Sequence, residues 1–65
     1  MVTKVDYFPI MKQYIGEKVR LVLNDKPKQY LTGILIDLDD DGGFGIKTSD
    51  GTKYGWPALY LEVDL

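Results

Sequence analysis

Tyr30-Leu31-Thr32-Gly33-Ile34-Leu35-Ile36-Asp37-Leu38-Asp39-Asp40-Asp41-Gly42-Gly43-Phe44-Gly45-Ile46-Lys47-Thr48 is the stretch on which the fold turns. Up to Leu38 it is mostly apolar or β-branched, the content of a strand, and Gly33 sits inside it where a bulky side chain is normal. A glycine at that place marks a sharp bend. Asp39 to Gly43 joins turn-forming carboxylates to two residues that accept positive φ, so the chain can reverse before Phe44 to Thr48 runs back. A hairpin with a kinked first strand is what a small closed barrel requires.

Working outward, Val19 to Leu23 reads as a strand, and Asn24-Asp25-Lys26-Pro27-Lys28 as a loop whose proline cannot donate to a ladder. On the other side, Asp50-Gly51 between two strand-like runs signals a tight hairpin turn. Lys53 to Trp56 then forms a fourth strand, Pro57-Ala58-Leu59 one 3₁₀-type turn, and Tyr60 to Val63 a fifth strand. Before all of these, Phe8, Ile10, Met11, Tyr14 and Ile15 recur at helical spacing, with Pro9 suited to a first turn, Asp6 to an N-cap and Gly16 to a terminator. Met1 to Asp6 is an arm or a short edge strand. The expected architecture is mostly β: one domain over residues 1–65, a helix at about 7–15, and strands at about 19–23, 30–38, 44–48, 53–56 and 60–63. These form a small five-stranded, bent-sheet SH3-like or OB-like barrel.

A chain of 65 residues buries only about 60% of its unfolded surface, which makes oligomerisation an attractive source of further stability. It has no cysteine and no histidine, removing disulfides, thiolate metal sites and ordinary acid–base catalysis. No enzyme activity, cofactor or metal is expected. The N-terminus lacks a signal-peptide pattern and no apolar run reaches the roughly 20 residues of a membrane span, so a soluble, cytoplasmic protein is expected. Net charge is −2, unevenly spread: residues 1–28 carry six basic against three acidic side chains, and residues 29–65 carry two against seven. Such a chain repels phosphate on average, yet keeps one basic end.

Two stretches resemble the Sm/LSm family of RNA-binding ring proteins. Pro9-Ile10-Met11-Lys12-Gln13-Tyr14-Ile15-Gly16-Glu17-Lys18-Val19-Arg20-Leu21-Val22-Leu23 looks like that family's opening helix running into its first strand, and Tyr30 to Asp39 is similar to its aromatic-x-Gly-x-Leu-x-x-hydrophobic-Asp strand. The resemblance implies an Sm-like barrel in a homo-oligomeric ring that binds RNA or single-stranded nucleic acid. It implies pairing of Lys53–Trp56 with Tyr60–Val63 of a neighbour, an interface of Tyr54, Trp56, Leu61 and Val63. Both nucleotide motifs are altered: Gly43 stands where the family has Asn, and Lys53-Tyr54-Gly55-Trp56 where it has Arg-Gly. Altered specificity follows. Gly55-Trp56-Pro57-Ala58-Leu59-Tyr60 instead looks like the closing segment of peptide-binding SH3 domains, implying a protein partner held by Tyr54, Trp56 and Tyr60.

The nucleic-acid reading assigns Asp39, Phe44, Lys47, Lys53, Tyr54 and Trp56, with aromatic faces for base stacking and ammonium groups for phosphate. Core packing stands against it for Phe44 and Trp56, since a small barrel needs large apolar side chains. Asp37-x-Asp39-x-Asp41-Gly42 matches the opening of a calcium loop, but Thr48 occupies the twelfth position, where the bidentate glutamate belongs. A solvated acidic turn is the alternative. Lys18, Arg20, Lys26 and Lys28 form either a small basic patch or an ordinary solvated loop.

Overall fold

A computed structural model describes all 65 residues. Strand β1 (Thr3–Val5) is followed by the one-turn helix α1 (Phe8–Met11), a 3₁₀ turn (Lys12–Tyr14), and strands β2 (Lys18–Asp25), β3 (Lys28–Leu38), β4 (Phe44–Thr48), β5 (Gly51–Gly55) and β6 (Tyr60–Val63). The six strands make one antiparallel sheet in the order β1-β6-β2-β3-β4-β5, strongly bent, with β1 and β5 as its two edges. The expected mostly-β architecture with a short helix in front is present.

The bend is made by β3. Its first half pairs with β2 from Lys28 to Ile34, and its second half pairs with β4 from Ile34 to Leu38. The two ladders meet at Ile34, which faces Lys18 on one side and Lys47 on the other. Just before this junction, Gly33 brings its Cα so close to β4 that any Cβ would collide with the Lys47 carbonyl and crowd Thr48 Cα. Only glycine fits there. Beyond the bend the loop from the 3₁₀ turn joins the sheet: Gly16 N–H donates to the Leu35 carbonyl (2.7 Å) and Leu35 N–H to the Glu17 carbonyl (3.1 Å). A register shift between Leu35 and Asp37 completes the curl.

The concave side holds the core: Met11, Val19, Leu21, Leu35, Leu38, Phe44, Ile46, Ala58, Leu61 and Val63, with Val5, Phe8, Tyr14, Leu23 and Leu31 packed around it. Alternation along β2 and β6 puts the intervening residues on the convex side. There Lys4, Glu62, Arg20 and Thr32 lie abreast across four strands, and the next row is Tyr60, Val22 and Tyr30. Lys4 Nζ lies 4.4 Å from the Tyr60 ring centre and Arg20 Cζ 4.9 Å from that of Tyr30. Cation–π pairs of this kind contribute about 0.5–1 kcal/mol at exposed sites. Between them Glu62 accepts from Arg20 Nη1 (3.3 Å) and Lys28 Nζ (2.9 Å). Val22, flanked by the two tyrosines, is fully buried apart from the main core.

Several boundaries differ from expectation, each for a local reason. Within the N-terminal arm, Thr3–Val5 is a true edge strand, because it finds a partner in β6. The helix is one α turn followed by 3₁₀, capped by the Tyr7 backbone rather than by Asp6. Strands β2 and β3 run on to a two-residue turn at Lys26-Pro27, with a bulge near Asn24 absorbing the mismatch. The β4–β5 turn is Ser49-Asp50, tied by Thr48 Oγ1, which donates to the Gly51 carbonyl (3.0 Å) and accepts from Asp50 N–H (3.2 Å). Thr52 is therefore in β5, and Trp56 is beyond it. Pro57 to Leu59 is an extended connection rather than a 3₁₀ turn, anchored by Ala58 N–H to the Gly42 carbonyl (2.7 Å) and Leu59 N–H to the Val22 carbonyl (2.9 Å).

Two predictions follow from this architecture. Replacing Gly33 by alanine drives a methyl group into backbone and is expected to cost about 3 kcal/mol in urea unfolding; an unchanged midpoint would show that β3 and β4 separate freely. The second concerns Glu62, whose side chain is only 12% exposed. Its pKa is lowered from the ordinary 4.5, chiefly by the Lys28 hydrogen bond, with burial opposing and Arg20 assisting. Lys28 is raised above 10.5, chiefly by the same bond. The stabilisation from Glu62 is thus complete above about pH 4.5 and lost as the pH falls through the lower folded value. That from Lys28 is complete below about pH 10.5 and lost only as the pH rises through its raised folded value. Thermal melts from about pH 5 to about pH 3 should therefore fall more steeply for the native protein than for Glu62→Gln, and parallel curves would refute the linkage.

Candidate functional site

The acidic turn Asp39–Gly43 is held from within. Asp39 Oδ1 accepts from Asp41 N–H (3.0 Å) and Gly43 N–H (2.8 Å), while Asp39 N–H donates to the Gly43 carbonyl (2.9 Å). This is the local carboxylate-to-backbone pattern that stabilises turns. Asp40 is paired with Lys12 at 2.6 Å, fastening the 3₁₀ turn to the loop. Asp37, Asp39 and Asp41 are not gathered into a group of three carboxylates, and Asp39 is taken up by its own turn. Asp39 is a turn-closing residue.

The β4–β5 ribbon is different. Every residue of β5 is exposed, and its only neighbour is β4. Its packing is built from two crossed glycine–aromatic pairs in register: Phe44 opposite Gly55, and Gly45 opposite Tyr54. The Tyr54 ring lies where a Cβ on Gly45 would stand, 2.9 Å from that position, and the Phe44 ring does the same at Gly55. Such cross-strand pairs contribute about 0.2–1 kcal/mol each. They leave the tyrosine on the convex side and 75% exposed, while the phenylalanine turns into the core. Trp56, just past the strand, is 71% exposed although its indole N–H donates to the Asp41 carbonyl at 2.6 Å. Ile34 and Ile36 of β3 are also exposed. Lys47 and Lys53 are both exposed and make no ion pair.

The nominated residues are thus divided. Tyr54, Trp56, Lys47 and Lys53 share the β4–β5 end of the sheet; Phe44 is 7% exposed and belongs to the core, because the inward positions of β4 alternate with Gly45. Leu61 and Val63 are core residues as well, on a strand hydrogen-bonded to β1 on one edge and β2 on the other. With both edges of β6 taken, a neighbour's Lys53–Trp56 strand has nothing to pair with there. Tyr60 serves Lys4, and its hydroxyl donates to Asp25 Oδ1 (3.4 Å), so it is engaged away from the exposed aromatic pair. The basic patch is largely spent, since Glu62 takes both Arg20 and Lys28. Sequence reading missed the glycines Gly45 and Gly55 as seats for rings. The repeated Phe-Gly and Tyr-Gly steps of the two hairpin arms were the available signal.

One cavity of about 270 Å³ opens between the 3₁₀ turn and the end of β6, lined by Gln13, Tyr14, Glu17, Lys18, Val63 and Asp64. Asp64 has a left-handed backbone, φ 59°, and its carboxylate accepts from Thr3 Oγ1 (2.9 Å). No helix is long and apolar enough to cross a membrane.

Comparison with known proteins overturns the Sm/LSm resemblance and, with it, the RNA-binding ring. The sequence model that matches describes the biotin protein ligase C-terminal domain, an SH3-like barrel, and there is no match to Sm/LSm proteins. The misleading residues have barrel-building explanations: Gly33 is needed for the approach to Lys47, and Asp39 for closing its turn. No curated protein and no solved structure matches the chain. The match runs over residues 14–55, from the end of the 3₁₀ turn to the end of β5, and on that span, more than half of its length, the chain belongs to the biotin protein ligase C-terminal domain family.

Proposed function

We propose that this chain is a non-enzymatic, SH3-like protein-interaction module that works in the cytoplasm beside a biotin–protein ligation enzyme. The observation that carries this reading is the solvent-facing aromatic pair Tyr54 and Trp56 at the free end of the sheet. Large aromatic side chains are the residues that most often anchor protein interfaces. Ile34 and Ile36 add exposed apolar surface on β3, one strand further in than β4. The chemistry of the chain supports a binding role: it has neither histidine nor cysteine, and the two groups with displaced pKa values, Glu62 and Lys28, neutralise each other on the convex face. The family takes its name from the C-terminal domain of a biotin protein ligase, which makes the ligase and its biotin-accepting protein the first partners to examine. Absence of cysteine suits a reducing compartment.

Trp56 is the single tryptophan, so its fluorescence reports docking at this surface directly. Titration with a biotin protein ligase lacking its own C-terminal domain, and separately with its biotin-accepting protein, should move the emission of Trp56 to shorter wavelength in one of the two series. Combined Tyr54→Ala and Trp56→Ala replacement should weaken that complex about tenfold or more, read by calorimetry, with the fold intact by circular dichroism. Neither protein binding, or binding indifferent to both replacements, would end this reading.

A further inference from the structure

The exposed strand β5 offers more than side chains. It has hydrogen-bonded backbone on one side only, so alternate N–H and C=O groups from Gly51 to Gly55 point outward without a partner strand. The opposite edge, β1, is three residues long and carries Lys4 folded over Tyr60. Strand β5 is longer, and its pattern is unusual. On the side it shares with Ile46 and Phe44 it presents Gly51, Lys53 and Gly55, one ammonium group between two positions without side chains. On the convex side it presents Thr52 and Tyr54. Both flanks are thin enough for another backbone to lie alongside.

The charge at the centre selects the occupant. Pairing of two copies over the full length of β5 sets Lys53 against Lys53 of the second copy, and like charges directly opposite are destabilising. A carboxylate at that place meets an ammonium group that no residue of this chain neutralises. Asp50 lies at one end of the strand, and the Asp41 carbonyl holds Trp56 at the other, so the attractive position for an acid is the middle. We propose that β5 takes up an extended segment of a partner protein as an added antiparallel strand, with a glutamate or aspartate opposite Lys53 and apolar side chains opposite Tyr54 and Thr52. This rests on the interaction-module reading and specifies how the partner is held: main-chain hydrogen bonds supply the attachment, and the alternating acid and apolar residues supply the choice.

The test uses capped seven-residue peptides added to the isotopically labelled full chain, followed by amide NMR. TTVEVTT should shift the amides of Gly51 to Gly55 in a saturable way, and TTVKVTT should bind about tenfold more weakly. Lys53→Glu should reverse that order, at a side chain exposed enough to leave the fold unchanged. N-methylation of alternate peptide residues should abolish binding in one phase and spare it in the other, since only one set of N–H groups faces β5. Equal binding of the two peptides, equal tolerance of both methylation phases, or shifts confined to Tyr54 and Trp56 would overturn strand addition while leaving the aromatic surface as an interaction site. Absence of any β5 shift at millimolar peptide would overturn it as well. Concentration-dependent β5 shifts without peptide would do the same, by naming a second copy as the occupant.

Discussion

The structure hangs on one close approach, that of β3 to the Lys47 carbonyl at Gly33. Because no side chain intervenes, a single eleven-residue strand leaves one ladder and enters another within one residue of Ile34. The rest follows from that crossing. It turns Val19 and Leu21 of β2 toward Leu35 and Ile46 around a common interior, and it brings Leu35 within reach of the Gly16–Glu17 backbone. Through that loop the helix is docked, and Met11 is delivered to the core as a fully buried residue. A chain with so few buried positions has little redundancy, so a local backbone fit carries global weight.

The two ends of the bent sheet are unlike each other. Around β1, β6 and β2 the charges and aromatics satisfy one another: lysine over tyrosine, arginine over tyrosine, and a carboxylate shared between two cations. That surface has spent its binding capacity on the fold. Around β4 and β5 the rings rest on glycines, the lysines have no counter-ion within the chain, and the outer backbone has no ladder. The proposed interaction surface is thus the one distinguished by what remains unsatisfied. Formal charge alone would have pointed to the N-terminal half, where the excess of basic residues lies; pairing reverses that conclusion.

The sequence carried the fold further than the site. Gly33 within an apolar run and the Asp-rich turn were sufficient to place the bent hairpin, since both reflect backbone geometry that few residue types can adopt. Edges were less legible: Thr3–Val5 has little apolar content of its own and is a strand only because β6 lies beside it. The Sm-like motifs were misread for the same reason that the fold was read well. Gly33 and Asp39 are demanded by the architecture, so their presence says little about nucleotides. Phe44 and Tyr54 look equivalent in the sequence, yet one faces the core and the other faces water, a difference set by the register of Gly45 and Gly55. Leu61 and Val63 lost their interface role once β6 proved to be an interior strand.

The single-sided attachment of β5 also bears on how the domain breathes. A strand tied to one neighbour opens at the cost of one ladder and of the Phe44 ring's rest on Gly55, so its amides should exchange with solvent by local fraying while those of β2 and β3 wait for global unfolding. Occupation of its outer edge would close that low-energy opening. The strand proposed to receive a partner is thus also the part whose own order has most to gain, and association there would be read as rigidity arriving at the margin of an already folded sheet.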